Sequence, residues 1–245
     1  MDRRLRILVG LCVIGIGLLG VKKLPEHLKT VEFFQARQYQ IEGSHYLTKE
    51  IILQHASFPS NTSVFDDFSD VELRLEEHAM ILNATVESNW WSSGVILMTL
   101  EERVPIALIA PLLAPVDREG KVLPLDPGKH RLNLPLARVI GTSEQMTEEG
   151  QIKTMALELE RLGFNNPFFA DGLSEISIDQ YGNAEATWDR DVVLRFRPPL
   201  MSQVLRAGLA SLEDAKKRKP GDAGIVIDLR FQDQVVVSYG EGGGQ

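Results

Sequence analysis

Ile81-Leu82-Asn83-Ala84-Thr85-Val86-Glu87, the turn Ser92-Ser93-Gly94, and Val95-Ile96-Leu97-Met98-Thr99-Leu100 are the stretch on which the fold class turns. The first run alternates polar and apolar residues and the second is almost wholly apolar, so the segment reads as two strands joined through a glycine turn. Upstream, Thr48 is a suitable N-cap for a short helix carrying Ile51, Ile52 and Leu53, and Phe58-Pro59-Ser60-Asn61 ends it. A second helix is expected over 69–80, because Val71, Leu75 and Ala79 recur at spacings of four on one face. Before both lies a strand candidate at 33–41, broken by Glu42-Gly43-Ser44. The order strand, helix, helix, strand, strand predicts a small α/β domain over 33–106, with one sheet face covered by two helices.

Downstream the texture changes. Val116 and Val122 flank Asp117-Arg118-Glu119-Gly120-Lys121, a hairpin pattern in which Asp117 and Glu119 are expected to be solvated. Ile152, Met155, Ala156, Leu159 and Leu162 share a helical face, with Gly163 placed for a left-handed cap. Ile176 and Ile178 alternate up to Tyr181-Gly182-Asn183, the chain returns through Trp188, and 192–196 is another strand. Pro198-Pro199 opens a helix with Leu200, Val204, Leu205, Leu209 and Leu212 inward and Lys216 to Lys219 in its last turn, where cations complement the helix dipole. Two strands close the chain, 225–231 and 235–239. The unit 107–240 is therefore expected to be a mostly antiparallel β domain with two helices, followed by a flexible tail at 241–245.

The opposite end of the chain reads differently. Residues 7–21 carry no charged side chain, with Arg3, Arg4 and Arg6 before them and Lys22 and Lys23 after. At about 1.5 Å per residue such a run falls short of a hydrocarbon core near 30 Å, and snorkelling by Arg6, Lys22 and Lys23 with Leu5 and Leu24 supplies the missing reach. A cleaved signal peptide is the rival reading, but no A-x-A-like site follows. Residues 1–24 are accordingly expected to be a short cytoplasmic N-terminus and a transmembrane helix, and 25–32 a connector. The arginines favour a cytoplasmic N-terminus with the remaining domains extracytoplasmic. Gly15, Gly17 and Gly20 spell G-x-G-x-x-G, with Glu42 downstream, but no string of βαβ units follows, so membrane glycines explain the match better than a dinucleotide site.

Over 245 residues the formal charge is -8, which excludes a generally basic, nucleic-acid-holding surface. Cys12 is the only cysteine, leaving no disulfide, thiolate nucleophile or Cys-based metal site after it. No nucleophile elbow, phosphate loop, zinc-ligand pair or calcium loop is present. His27, His45, His55, His78 and His130 are scattered without metal-ligand spacing, and Glu101-Glu102-Arg103 reads most plainly as a strand-end ion pair. Asn61-Thr62-Ser63 and Asn83-Ala84-Thr85 are glycosylation sequons, relevant only in a glycosylating host. The expectation from the residues alone is a membrane-anchored binding module with no catalytic residues, metal, cofactor or small-molecule substrate.

Several motifs, taken in order, resemble the FtsQ/DivIB bacterial cell-division proteins. Ile41-Glu42-Gly43 followed by Leu47-Thr48-Lys49-Glu50-Ile51 is similar to that family's V-x-G, L-[ST]-x-x-E-I opening. Ile81, Ala84, Val86 and Trp90, then Glu102-Arg103-Val104-Pro105-Ile106-Ala107, are similar to its A-x-V, W-P, E-R-x-P-x-A segment. Val116-Asp117-Arg118-Glu119-Gly120-Lys121-Val122, Leu134-Pro135, Gly141 and Ile227-Asp228-Leu229-Arg230-Phe231 match its β-domain marks. Trp91 and Ser92 depart from the proline after the tryptophan, which puts the geometry of that sheet edge in question. The resemblance implies a POTRA domain at 33–106 ahead of the β domain, and a non-enzymatic divisome scaffold at the septum in the cell inner membrane. Its implied partners are FtsB/DivIC-like and FtsL-like subunits, through which it bears on septal peptidoglycan synthesis. Other readings are an extracytoplasmic envelope enzyme and a POTRA-type transport accessory.

Within this reading Glu102, Arg103 and Pro105 are expected at the junction between the domains. The partner site is expected on the closing hairpin, because an end strand exposes unpaired backbone groups that another chain can extend. Phe231, Val235, Val237 and Tyr239 would supply anchors and Arg230 a charge, although alternation alone leaves Phe231 and Val237 equally readable as core.

Overall fold

A computed structural model of the chain describes residues 32–89, 94–189, 191–218 and 224–239. They belong to two compact units divided between Glu102 and Arg103, where the sequence put the border after 106.

The first unit opens with a 3-10 turn, Glu32–Phe34, followed by β1 (Gln38–Glu42), α1 (Lys49–Ala56), α2 (Ser69–Glu76), β2 (Ile81–Asn89) and β3 (Val95–Glu102). Strand β3 lies in the middle, parallel to β1 and antiparallel to β2. Ile96, Met98 and Leu100 alternate inward from β3 and pack with Ile52 and Ala56 of α1, Val71 and Leu75 of α2, and Ala84 and Val86 of β2. Helix α2 stops short of the expected end: its cap is Glu77, and the Met80 N–H bonds His78 Nδ1 at 3.2 Å instead of continuing the helix. Gly43 has φ of +81°, and a Cβ there would collide with the Leu100 carbonyl, so the turn after β1 needs glycine. The outer edge of β2 is closed by α2: Glu76 accepts from the Ala84 N–H at 3.1 Å and Glu72 from the Val86 N–H at 2.7 Å.

The second unit contains β4 (Ala107–Ile109), β5 (Ala114–Val116), α3 (Pro127–His130), β6 (Leu136–Ile140), α4 (Glu148–Asn165), α5 (Pro167–Asp171), β7 (Leu173–Asp179), β8 (Ala184–Trp188), β9 (Val192–Phe196), α6 (Ser202–Arg218), β10 (Ile225–Asp228) and β11 (Val236–Tyr239). Its eight strands run β11-β10-β9-β8-β7-β6-β4-β5. The expected fold class needs correction here. The sheet is mixed, with β4 and β6, β6 and β7, and β9 and β10 parallel, and α3 and α5 add two short helices. The physical reason is connectivity: α4 lies between β6 and β7 and α6 between β9 and β10, and a helical crossover returns the chain parallel to the strand it left. A further difference concerns α4, which runs through Gly163 to Asn165 and is capped by Asn166.

The expected membrane-spanning run, 7–21, and connector residues 25–31 lie outside the described residues, as do Trp90, Trp91 and Ser92, while Glu32 opens the 3-10 turn and the strand expected over 33–41 begins only at Gln38. The fold class is therefore α+β with mixed sheets, and among the described residues no helix is long and apolar enough to cross a membrane.

One row of side chains shows how the second unit is built. Ala137, Ile176, Ala186, Leu194 and Ile227 are buried partners across β6, β7, β8, β9 and β10. Met155, Leu159 and Leu162 of α4 and Leu205, Leu212 and Ala215 of α6 belong to the same core. The neighbouring row, Arg138, Ser177, Glu185, Arg195 and Asp228, points the other way by the strand period of two.

Candidate partner-binding site

The closing hairpin is shaped by Asp228. Its carboxylate accepts the Arg230 N–H at 3.0 Å and holds the guanidinium in a fork, Nε to Oδ1 at 2.9 Å and Nη2 to Oδ2 at 2.5 Å. The hydrogen bond from Arg230 is the largest influence on Asp228 and holds its pKa below the ordinary aspartate value, against a smaller opposing effect of burial. Arg230 is raised in turn, first by that bond and further by the fields of Asp179 and Glu185. Asp179 is pushed up by burial, but hydrogen bonds from Asn183 and Tyr181 outweigh this and leave it below the usual range.

Strand β11 pairs with β10 on one side, Val237 opposite Ile227 and Tyr239 opposite Ile225. Ile225 and Ile227 are buried, so Val237 and Tyr239 share the core-facing side; the Tyr239 hydroxyl donates to the Ala215 carbonyl of α6 at 3.4 Å. On its other side β11 has no paired strand among the described residues.

The residues expected at this site divide into two groups. Arg230, Phe231 and Tyr239 are exposed, Phe231 at 46%, whereas Val235 and Val237 are half-buried and pack against the core. Phe231 and Val235 line a groove of about 310 Å³ with Gln203, Val204 and Ala207 of α6. Val236, exposed on the outer face, was missed by the sequence reading; once Val237 turns inward, the strand period sends Val236 outward.

Around the border of the two units, each expected residue has partners within its own unit. Glu102 is buried and its carboxylate accepts the N–H groups of His45, Tyr46 and Leu47 at 2.8, 2.7 and 3.0 Å, fixing the loop before α1. Arg103 donates through Nη1 to Asp117 at 2.5 Å and Glu119 at 2.7 Å. Burial opposes its charge, and the hydrogen bonds to Glu119 and Asp117 more than offset this, leaving its pKa raised. Pro105 is buried. Asp117 is not the solvated hairpin residue expected: it is 2% exposed and also accepts the N–H groups of Glu119 and Lys121. Its burial follows from Arg103, fourteen positions back, a distance no local pattern reports.

A second cavity of about 310 Å³ on the outer face is lined by Asp179, Glu185, Arg195 and Arg230 among others. Its charges are engaged locally: Arg195 pairs with Glu185 at 2.8 Å, Arg230 with Asp228, and Asp179 takes the Tyr181 and Asn183 hydrogen bonds. Among the described residues no group of three His, Cys, Asp or Glu side chains is placed to hold a metal ion. Compared with models of protein families and with curated proteins, the chain has no match.

Proposed function

We propose that this protein is a non-catalytic scaffold of the bacterial division machinery, of the FtsQ/DivIB kind, and that it holds a partner by letting the partner's chain extend the sheet at β11. The observation that carries this reading is the outer edge of β11, which no strand pairs among the described residues, with Arg230, Phe231 and Tyr239 exposed beside it. Such an edge offers backbone hydrogen bonds for affinity, and the flanking side chains select among partners. Partners of the FtsB/DivIC and FtsL types fit the reading. The motif order in the sequence supports the family assignment, and the strand, helix, helix, strand, strand order of the first unit is compatible with a POTRA-like module.

The scaffold's place is the cytoplasmic membrane at the septum, with both units on the outer side. That rests on the sequence, where the uncharged run 7–21 stands behind three arginines. Affinity capture of the full chain from its own membranes, read by mass spectrometry, tests the proposal. Recovery of the small division subunits is the expected result; their absence alongside a different, reproducible partner set would overturn it.

A further inference from the structure

Residues 104–116 read Val-Pro-Ile-Ala-Leu-Ile-Ala-Pro-Leu-Leu-Ala-Pro-Val, without one charged or hydrogen-bonding side chain. They build the hairpin of β4 and β5, whose tip is residues 110–113. Hairpin tips normally carry Gly, Asn, Asp or Ser, because these tolerate positive φ and stay hydrated. This tip carries Leu112, 87% exposed, and Leu113, 45% exposed with φ of +56°. A leucine held in the left-handed region with its side chain largely outside the core is a local cost that the unit's own packing does not offset, the pattern expected where a contact outside the chain matters.

Strands β4, β6 and β7 are mutually parallel, which brings Ile140, at the end of β6, and Tyr181, in the turn after β7, to the same end of the sheet as the tip. Both are exposed, Ile140 at 48% and Tyr181 at 79%.

We propose that this end of the second unit is a lipid contact: Leu112 and Leu113 enter the acyl boundary of a bilayer, and Tyr181 sits at headgroup level. Tyrosine is suited to that depth, with an apolar ring and a polar tip. Leu112 and Leu113, exposed side chains of the tip, are both apolar, and acyl chains require only exposed apolar surface. With no cation in 104–116 and a net charge of -8, the contact is with neutral lipid and gains nothing from anionic headgroups. Two leucines bind reversibly at most, so they act as a second anchor that orients a chain already held at the bilayer. The inference rests on the membrane placement proposed above and not on the identity of the division partners.

The test uses the full chain with Cys12→Ser and Leu112→Cys, labelled with an environment-sensitive dye and reconstituted into phosphatidylcholine vesicles, beside a control labelled at exposed Glu149 (Glu149→Cys). The expected result is emission from the Leu112 position that brightens several-fold, shifts to the blue and is quenched by spin-labelled lipid, with the Glu149 position unchanged. Adding Leu113→Asp should abolish the brightening while circular dichroism stays that of the parent. A dye at 112 that remains dim in a chain floating with the vesicles overturns the lipid contact. A bright dye that lipid does not quench also overturns it, in favour of a protein contact. A chain that does not float overturns the membrane placement together with this inference, and partner capture then decides separately whether the scaffold reading stands.

Discussion

At one edge of the eight-stranded sheet, β5 is closed off. Val116 bridges to Val122, the Leu123 N–H bonds the Pro115 carbonyl at 2.8 Å, and the turn between them is gathered by Asp117, itself neutralised by Arg103. At the other edge β11 ends the sheet with nothing paired outside it among the described residues, and Arg230, in the loop between β10 and β11, is clipped to Asp228. The same chain thus invests a largely buried ion pair and backbone pairing in one edge and only a more exposed ion pair in the other. The first unit repeats the closed form at β2 with Glu72 and Glu76. Open edges are a hazard that proteins usually block; β1 also has no strand outside it among the described residues, and what sets the β11 edge apart is exposed Phe231 and Tyr239 beside it, the site proposed for a partner.

The comparison breaks most visibly at Asp117. Asp117→Ala leaves the Arg103 guanidinium with Glu119 as its one carboxylate and two turn N–H groups without the Asp117 acceptor, and should cost about 3–5 kcal/mol, read as a lower melting temperature of the full chain by calorimetry. Gly120→Ala is milder. Gly120 has φ of +79°, and a Cβ would stand 3.3 Å from Ile152 and Lys153, so a loss of about 1–3 kcal/mol is expected from the strained backbone in denaturant titration. At the open edge the effect should move from stability to binding. Arg230→Glu combined with Tyr239→Ala should abolish partner capture while stability changes by less than about 1 kcal/mol, because the groups lost are exposed or weakly bonded. Retained capture by the folded double variant would move the site elsewhere.

The smallest effect is a pH dependence. Asp228 is depressed in the folded chain, so its contribution is present above the unfolded aspartate value of about 3.9 and lost as pH falls through the lower folded one. The melting temperature of Asp228→Asn should therefore lie slightly below the parent at pH 6, and the gap should close towards pH 3. A gap that widened in acid would show that Arg230 is not held by this carboxylate.

What could be read from the sequence was what repeats locally. The alternation around Val86 and Ile96 and the four-residue spacing of Val71 and Leu75 are periodic signals, and the corresponding strands and helix are present. The parallel pairing of β6 with β7 and of β9 with β10 was not read, because it depends on which strands lie side by side after a crossover. The alternation of 225–239 pointed to two strands, but the first ends at Asp228 rather than Phe231, which leaves Arg230 and Phe231 in the loop, and the alternation was silent about face. Pairing Val237 with buried Ile227 made it partly core and left Phe231 and Tyr239 as the accessible residues. Asp117 was misjudged for a related reason: a carboxylate beside a glycine turn is usually hydrated, and only the long-range approach of Arg103 makes burial tolerable.

The central claim, that β11 is the edge kept free for a partner, is tested most directly by amide hydrogen exchange on the full chain, alone and in complex with the subunit it captures. The account predicts that amides of 236–239 exchange fast in the free chain and become strongly protected in the complex, while those of 114–125 are slow in both. Protection that appears elsewhere, with 236–239 exchanging as fast as before, would contradict it.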